Sequence, residues 1–385
     1  MAGARTGAAA LERLTARVAG MSERDGVGAI AGARDGRDWS DWREGALVAL
    51  AGLACLLVLD ALVLDQPSPR GDEQIYELMA RDPLGTHTFP FAYRVGVPSV
   101  VHLLPFGTSF SFSALAWVSS GACAGVAYML MRRFGVGRPL AAALALCLVT
   151  CPPLLVASLR QGRGVDPESV LVMLAGALAI ADRRPLALGV VVAAGALVRE
   201  SALFLVPFAY AAWAERAWDP ATARRVAAAS LPGLAAYVAL RLTLPTVGRE
   251  QVLGYGSALG GRLDVLREAL SDPIVQARRM AGSFGPLWLA APFALLGLRF
   301  VRAGLVLVAL CALAMLFAAD WGRIVLLAAP VFYVAGAWVL QRRPALALAA
   351  VAAFVAMNVG YAIYMDQSGV EKNLIGGPLP AYPVR

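Results

Sequence analysis

Charged residues are scarce in this chain, and their scarcity excludes an ordinary soluble domain. Only 16% of the 385 residues are charged, whereas 59% are hydrophobic and the mean hydropathy is +0.66. Soluble domains usually carry about 25% charged residues. Several apolar runs also approach the roughly 20 residues that a helix needs to cross a bilayer. The composition therefore predicts an integral membrane protein.

Motifs of several common chemistries are also missing. No Gly-rich phosphate loop, HExxH or GxSxG motif occurs, and no repeat relates the two halves. The first apolar run, Gly45 to Leu64, begins too far from the start for a cleaved signal peptide. The five cysteines lie inside apolar runs without CxxC or metal-ligand spacing, so no redox or zinc chemistry is predicted: Cys55, Cys123, Cys147, Cys151 and Cys311.

Arginines and acids alternate along the chain, and this alternation predicts the topology, because cytoplasmic loops carry an excess of Lys and Arg. With the N-terminus inside, the basic turns are cytoplasmic: Arg132, Arg133, Arg138, Arg183, Arg184, Arg216, Arg224, Arg225, Arg299, Arg302, Arg342 and Arg343. The acids then collect outside: Asp72, Glu73, Asp166, Glu168, Glu200, Asp264, Glu268, Asp272, Asp320 and Glu371. The pattern predicts an all-α, polytopic transmembrane helical bundle of about 11 spans with its C-terminus outside. The net charge of +8 reports this topology and requires no nucleic-acid partner.

The chain is predicted to divide into three parts. Residues 1–43 form a cytoplasmic, disordered tail, residues 44–364 form the transmembrane domain, and residues 365–385 form an outward tail. Two large outward segments interrupt the spans, a first loop at residues 65–108 and a second segment at residues 245–283. These segments are where a site at the membrane surface is expected.

Both outward segments are predicted to carry short helices. From Asp72 to Arg81 the apolar residues recur at i, i+3 and i+4, the spacing of an amphipathic helix lying on the membrane. Residues Val95 to Pro105 are too few to span, so they are predicted to form a second surface or re-entrant helix. In the later segment, short helices are predicted at residues 264–270 and 273–280.

The first outward loop concentrates ionisable and aromatic side chains, which makes it the main candidate site: Asp72, Glu73, Tyr93, Arg94 and His102. The acids can accept a proton, while Arg94 and His102 supply cationic or proton-transferring groups. A simpler interpretation of Asp72 is a helix N-cap, because side-chain oxygens and negative charge are both favourable at a helix N-terminus. The sequence leaves both roles open.

Three further sets of charges lie within apolar runs or at their ends. Asp60 lies about one helical turn from the outer end of the first span, where a charged group must face protein or water. Arg199 and Glu200 interrupt an apolar stretch between basic flanks, which predicts a helical hairpin with its apex below the outer surface. They form either a structural ion pair or the lining of a polar cavity. Asp320 and Arg323 have the i, i+3 spacing of a pair across one helical turn.

These features together resemble the GT-C superfamily of integral-membrane glycosyltransferases, which use polyprenyl-phosphate sugars. Asp72-Glu73 matches the acidic pair that this family carries in its first outward loop. Three further stretches are similar to bacterial mannosyltransferases and arabinosyltransferases of this superfamily: FAYRVGVP (91–98), LVRESALFLVP (197–207) and DWGRIVLLAAP (320–330). The matching stretches extend from about residue 45 to about residue 340.

The resemblance implies transfer of a sugar from a polyprenyl-phosphate donor to a glycan, lipid or protein acceptor, at the outer face of the bacterial cytoplasmic (inner) membrane. It implies an inverting mechanism in which Asp72 takes the acceptor proton, with Glu73 as its stand-in. The residues expected to bind the substrates are Asp60, Tyr93, Arg94, His102, Arg199, Glu200, Asp320 and Arg323. No cofactor is required and no metal site is assigned, although Mg²⁺ or Mn²⁺ bridging acid and phosphate is compatible with this chemistry.

Two other functions are open on the sequence alone. The chain could be a transporter or flippase of a lipid-linked or small polar substrate, or a non-enzymatic assembly subunit. Transporters usually carry midplane ionisable groups, broken helices and internal repeats. The charges here lie chiefly at the outer edge and no repeat is evident, which favours sugar transfer.

Overall fold

The structure is a computed structural model that describes residues 39–62, 72–159, 162–247, 266–267, 270–271, 273–316, 318 and 321–368. These residues are almost entirely helical, which confirms the predicted all-α class. The first half contains helices α1 (Trp39–Leu62), α2 (Asp72–Arg81), α3 (Gly96–Leu103), α4 (Thr108–Arg133), α5 (Arg138–Val149), α6 (Pro152–Leu159), α7 (Asp166–Ala181) and α8 (Pro185–Val198). A 3₁₀ turn at Phe91–Tyr93 precedes α3, and another at Glu200–Phe204 follows α8.

The second half continues with helices α9 (Leu205–Trp213), α10 (Pro220–Thr243), α11 (Pro273–Phe284), α12 (Leu287–Ala290), α13 (Arg299–Met315), α14 (Trp321–Val325), α15 (Ala329–Leu340) and α16 (Pro344–Ser368). Two more 3₁₀ turns, Ala291–Leu296 and Leu326–Ala328, follow α12 and α14. Two short strands, β1 (His87–Thr88) and β2 (Thr246–Val247), pair in parallel.

Five stretches of helix among the described residues are long and apolar enough to cross a membrane: 40–62, 108–133, 220–243, 321–340 and 344–362. The count becomes six if α5 and α6 form one span, since they are bent by 54° at Thr150 and Cys151. Several apolar helices are therefore able to span a membrane, as the composition predicts.

Several predicted boundaries agree with the structure and others differ. The surface helix α2 covers the predicted Asp72 to Arg81, and α3 lies within the predicted Val95 to Pro105. In the second outward segment, α11 begins at Pro273 as predicted. The first span begins at Trp39, earlier than Gly45, and α16 continues to Ser368, past the predicted start of the outward tail. Residues 1–38, 369–385 and most of the predicted helix at 264–270 lie outside the described part of the chain.

The basic turns gather at one end of the helices, which we call the basic end. Arg133, the last residue of α4, pairs with Asp41 of α1 at 3.1 Å and with Asp182 after α7 at 2.8 Å. Arg225 near the start of α10 donates a hydrogen bond to the Arg183 carbonyl. The alternation of arginines along the sequence thus corresponds to alternation between the two ends of the structure. The opposite end, which we call the site end, carries the first outward loop.

Burial separates central helices from peripheral ones. In the span 321–340, 83% of the most apolar 18-residue stretch is buried inside the protein, and in the span 108–133 the share is 67%. In α1 and α10 the share is 17%, and in α16 it is 11%. The latter three helices therefore present most of their apolar surface outward, as helices in contact with lipid do.

Glycines allow α1 to pack closely against α4. A Cβ added to Gly125 would lie 2.6 Å from the carbonyl oxygen of Gly45, and one added to Gly121 would lie 3.0 Å from that of Ala49. Small residues at such positions let two membrane helices approach until their backbones touch. This contact fixes α1 beside α4, with the end of α1 and the start of α4 both at the site end.

The two strands connect the two outward segments. His87 is paired with Thr246 and Thr88 with Val247, and the amide of Phe89 donates to the Val247 carbonyl at 3.0 Å. The bridge holds the first outward loop against the chain that leaves α10.

Candidate functional site

Arg94 joins the first outward loop to the break between α8 and α9. Its guanidinium donates to the Glu200 carboxylate from Nε at 3.2 Å and from Nη2 at 2.7 Å, and to the Tyr76 hydroxyl from Nη1 at 3.0 Å. The Phe91 ring centroid lies 5.2 Å from the guanidinium carbon. Because Arg94 is only 9% exposed, these partners replace most of its contact with water.

The backbone break at Arg199 presents Glu200 to Arg94. Arg199 is extended, with φ −161° and ψ 142°, and the 3₁₀ turn begins at the next residue. The predicted hairpin is confirmed, because Trp213 at the end of α9 returns to the basic end and donates to the Ile180 carbonyl. Burial would raise the pKa of Glu200, but Arg94 lowers it to about 2, so Glu200 is charged at neutral pH.

The hypothesis that Arg199 and Glu200 pair with each other is wrong. Each of them has a partner from another segment, since Glu200 binds Arg94 and Arg199 binds Asp166. Adjacent residues in an extended break point in different directions, which separates the two charges. The break therefore connects the first outward loop to the start of α7, because its two charged residues bind partners in those segments.

Asp166 binds arginines from two distant segments. Its carboxylate lies 2.5 Å from Nη1 of Arg199 and 3.1 Å from Nη1 of Arg323. Burial opposes ionisation of Asp166, but Arg323 and Arg199 hold its pKa below the usual range, and Arg94 is near enough to contribute. Asp166 is also the first residue of α7, where the helix dipole favours a carboxylate.

Arg163 fixes the inner side of α2. Its Nε lies 2.8 Å from the Glu77 carboxylate, and its Nη2 donates to the Ser109 hydroxyl at 2.7 Å. Its backbone amide donates to the Glu73 carboxylate at 3.4 Å. Glu73 is buried at 5% exposure, so it serves as an anchor of α2 against the loop before α7.

Asp72 and Tyr76 lie on α2 beside Arg94. Asp72 is partly exposed at the first position of the helix, and among the residues that the structure describes it forms no ion pair. Tyr76 is buried, and burial raises the pKa of its hydroxyl to about 12, with Arg94 opposing the shift and Asp72 adding to it. The phenol therefore keeps its proton at neutral pH while it accepts a hydrogen bond from Arg94. Asp72 is therefore a carboxylate beside Arg94 that remains available to a ligand.

The structure brings some predicted site residues together and places others elsewhere. Arg94, Arg199, Glu200 and Arg323 belong to one charged cluster with Asp166, and Asp72 and Glu73 lie on the helix next to it. Asp320 lies outside the described residues.

Three predicted substrate residues have other surroundings. His102 is exposed on α3, and its Nδ1 lies 2.9 Å from the Ala80 carbonyl, where it connects α3 to α2. The buried Tyr93 ring packs against the Arg241 guanidinium of α10, 4.5 Å away. Asp60 lies half-buried on α1, two residues before its end.

The residues that sequence reasoning missed come from the loop before α7 and from the first turn of α7. Arg163 and Asp166 are central to the contacts described above, and Glu168 follows with both carboxylate oxygens buried. A signal was present, because Arg163 lies on a predicted outward turn and so departs from the rule that places arginines inside. An arginine on the unfavoured side of a membrane protein needs a local reason, and ion pairing supplies it.

No group of three or more His, Cys, Asp or Glu side chains that could hold a metal occurs within the described ranges. The compatibility of Mg²⁺ or Mn²⁺ with the chemistry therefore stays a prediction.

Comparison with known proteins does not indicate a function, so the function is inferred from the site. No protein-family model matches this sequence, and no curated protein matches it.

Proposed function

We propose that this protein is a GT-C-type glycosyltransferase of about 11 spans in the bacterial cytoplasmic membrane. It transfers a sugar from a polyprenyl-phosphate donor to an acceptor hydroxyl at the outer face, with its N-terminus inside and its C-terminus outside. The proposal is supported by one observation: a charged cluster at the site end is assembled from the first outward loop, the start of α7, the break after α8 and the start of α14.

The reaction requires a base and a cationic phosphate site close together. A carboxylate takes the proton of the acceptor hydroxyl, the acceptor oxygen bonds to the anomeric carbon, and the bond from that carbon to the phosphate oxygen breaks. The leaving polyprenyl phosphate then carries the additional negative charge, which nearby cations stabilise. The cluster supplies groups of both kinds.

Arg199 is the best candidate for contact with the donor phosphate. Asp166 is its only ion-pair partner among the described residues, and that contact uses Nη1. Its other N–H groups can bind phosphate oxygens in the fork geometry that guanidinium groups favour. Glu200 and Asp166 hold Arg94 and Arg199 in position before the donor arrives, so little reorganisation is needed.

Asp72 is the best candidate for the base, and the structure distinguishes it from Glu73. Asp72 is partly exposed, whereas Glu73 is buried and accepts a hydrogen bond from the Arg163 amide. A base has to reach the acceptor hydroxyl, and a buried anchoring carboxylate is poorly placed to do so. Glu73 therefore positions the helix that carries Asp72.

Transport of a lipid-linked substrate is the second candidate, because several helices are broken. The pair α5 and α6 is bent by 54°, and α8 and α9 are separated by an extended residue and a 3₁₀ turn. Discontinuous helices often surround the substrate site of transporters. The charged cluster lies at one end of the helices, away from a midplane position, which favours transfer.

The test is to incubate the purified protein with a panel of polyprenyl-phosphate sugars and to measure released polyprenyl phosphate. Asp72→Asn keeps the shape and most of the capping ability of the side chain but removes its basicity. We expect about 10²-fold or greater loss of turnover, with donor binding and folding retained. If Asp72 acted only as a helix cap, the variant would keep its turnover and lose less than about 1 kcal/mol of stability.

Asp82→Asn is the matched control, because it removes the same charge from the same loop at an exposed position after α2. We expect it to keep full turnover. Normal turnover in both Asp72→Asn and Glu73→Gln would exclude the acid-pair mechanism. Movement of the intact lipid-linked sugar across a vesicle membrane, without release of polyprenyl phosphate, would establish transport in its place.

A further inference from the structure

Arg241 forms an aromatic clasp at the site end, separate from the charged cluster. It lies in the last turn of α10, and its guanidinium carbon is 4.5 Å from the Tyr93 ring centroid and 4.6 Å from that of Tyr237. Two tyrosine rings at these distances hold the cation by cation–π attraction. We call Arg241, Tyr93 and Tyr237 the tyrosine clasp.

The clasp leaves the N–H groups of Arg241 without a hydrogen-bond acceptor among the described residues. Within the described ranges, its Nε is buried without a hydrogen-bond partner and its guanidinium has no ion pair. Cation–π contacts use the faces of aromatic rings and provide no lone pair to the N–H groups. A guanidinium that is oriented in this way retains its planar donor fork, the geometry that matches a phosphate.

The helix surface next to Arg241 is suited to contact with a lipid. Only 17% of the most apolar 18-residue stretch of α10 is buried in the protein. Leu231, Leu234 and Val238 are exposed along the helix at i, i+3 and i+7, and the same side of the helix continues to Arg241. An apolar stripe that ends at an arginine in the last turn fits acyl chains below a headgroup.

We infer that the tyrosine clasp binds the phosphate of an anionic two-chain phospholipid, with the acyl chains lying along the exposed stripe of α10. The net negative charge of the headgroup balances Arg241, which has no ion pair among the described residues, and the acyl chains cover the apolar stripe. The site holds a structural lipid in the same membrane leaflet as the charged cluster. It is independent of sugar transfer.

The test is lipid binding by the purified, delipidated full-length protein, measured by native mass spectrometry with dioleoylphosphatidylglycerol. We expect Arg241→Gln to weaken binding of the tightest lipid about 10-fold or more, because charge-assisted hydrogen bonds are lost. Tyr237→Leu, which removes one ring of the clasp, should weaken it in the same direction. Arg224→Gln is the matched control, because it removes an exposed arginine from the other end of the same helix and should leave this lipid bound.

Other outcomes would overturn the inference. Equal binding by the wild type and Arg241→Gln would show that the lipid lies elsewhere, and equal affinity for dioleoylphosphatidylcholine would remove the requirement for net charge. Complete displacement by millimolar inorganic phosphate would indicate a free-anion site instead of a lipid site. If Arg241→Gln does not fold, the same lipid-binding measurement is made on Arg241→Lys and Tyr237→Leu. Wild-type lipid affinity in both would contradict the clasp.

Discussion

Replacement of Glu200 by Ala should leave Arg94 as a stranded, mostly buried cation. The Glu200 carboxylate accepts two of the three side-chain hydrogen bonds that Arg94 donates to described residues, and the Tyr76 hydroxyl accepts the third. After the replacement, the neutral Tyr76 phenol is the hydrogen-bond acceptor that remains for the guanidinium among the described residues. The variant therefore reports the energy of the connection between the first outward loop and the break after α8.

The exposure of the two side chains sets the expected magnitude. Loss of one partner of a fully buried pair costs about 3–5 kcal/mol, whereas an exposed pair contributes about 0–1 kcal/mol. The Arg94 side chain is 10% exposed and that of Glu200 is 36% exposed, so water reaches the pair from the Glu200 side. With the Tyr76 bond retained, we expect Glu200→Ala to reduce the free energy of unfolding by about 2 kcal/mol.

A double-mutant cycle measures this connection directly. The free energy of unfolding is determined by titration with sodium dodecyl sulfate in mixed micelles for Glu200→Ala, Arg94→Met and the double variant. We expect the double variant to lose at least about 1 kcal/mol less than the sum of the single losses, because removal of Arg94 also removes the stranded charge. Arg138→Met is the control, since its side chain is 61% exposed in its pair with Glu44 and should cost less than about 1 kcal/mol.

Strict additivity in the cycle would refute the reasoning, as would a Glu200→Ala variant within about 0.5 kcal/mol of the wild type. Either result would mean that water or another group already satisfies Arg94. The bidentate contact would then lack energetic significance.

Two further predictions concern pH and helix packing. Because Arg94 lowers the folded-state pKa of Glu200 to about 2, its contribution is complete above the usual value of 4.5 and is lost as the pH falls towards 2. The stability difference between the wild type and Glu200→Gln should therefore shrink over that range in acid titrations, and a constant difference would contradict the assigned pKa. Gly125→Ala should cost about 1–3 kcal/mol, because its Cβ would lie 2.6 Å from the Gly45 carbonyl oxygen. Gly360→Ala, where no atom lies within 4 Å, should be neutral or gain about 0.5–1 kcal/mol, and equal effects in the two variants would exclude the close contact.

Local patterns predicted the helices well because their physical causes are local. The i, i+3, i+4 spacing of apolar residues defines α2, and the length of the apolar run defines α4. Basic flanks around Arg199 were sufficient to predict the hairpin, because both flanks have to lie on the same side of a membrane. The boundaries at Trp39 and Ser368 were missed, since helices extend beyond their apolar centres.

The partners within the site could not be predicted in the same way. Glu200 binds Arg94 across 106 residues and Arg323 binds Asp166 across 157 residues, and no spacing rule operates over such distances. The sequence left open whether the adjacent Arg199 and Glu200 pair with each other, and the extended backbone sends them to different partners. Tyr93 was assigned to substrate for its aromatic character, although it packs against Arg241 on a helix whose approach depends on tertiary structure.

The long separations within the cluster have a consequence for biosynthesis. A ribosome adds about 5–20 residues per second, so Arg94 emerges roughly 5–20 s before Glu200, which lies 106 residues later. Asp166 waits about 8–30 s for Arg323, which is 157 residues further along the chain. During this interval the nascent chain presents unmatched charges at the membrane surface, and the first outward loop cannot dock permanently. Ribosome-bound chains that end before Glu200 should therefore remain open to proteases at α2, whereas the released chain should be protected there.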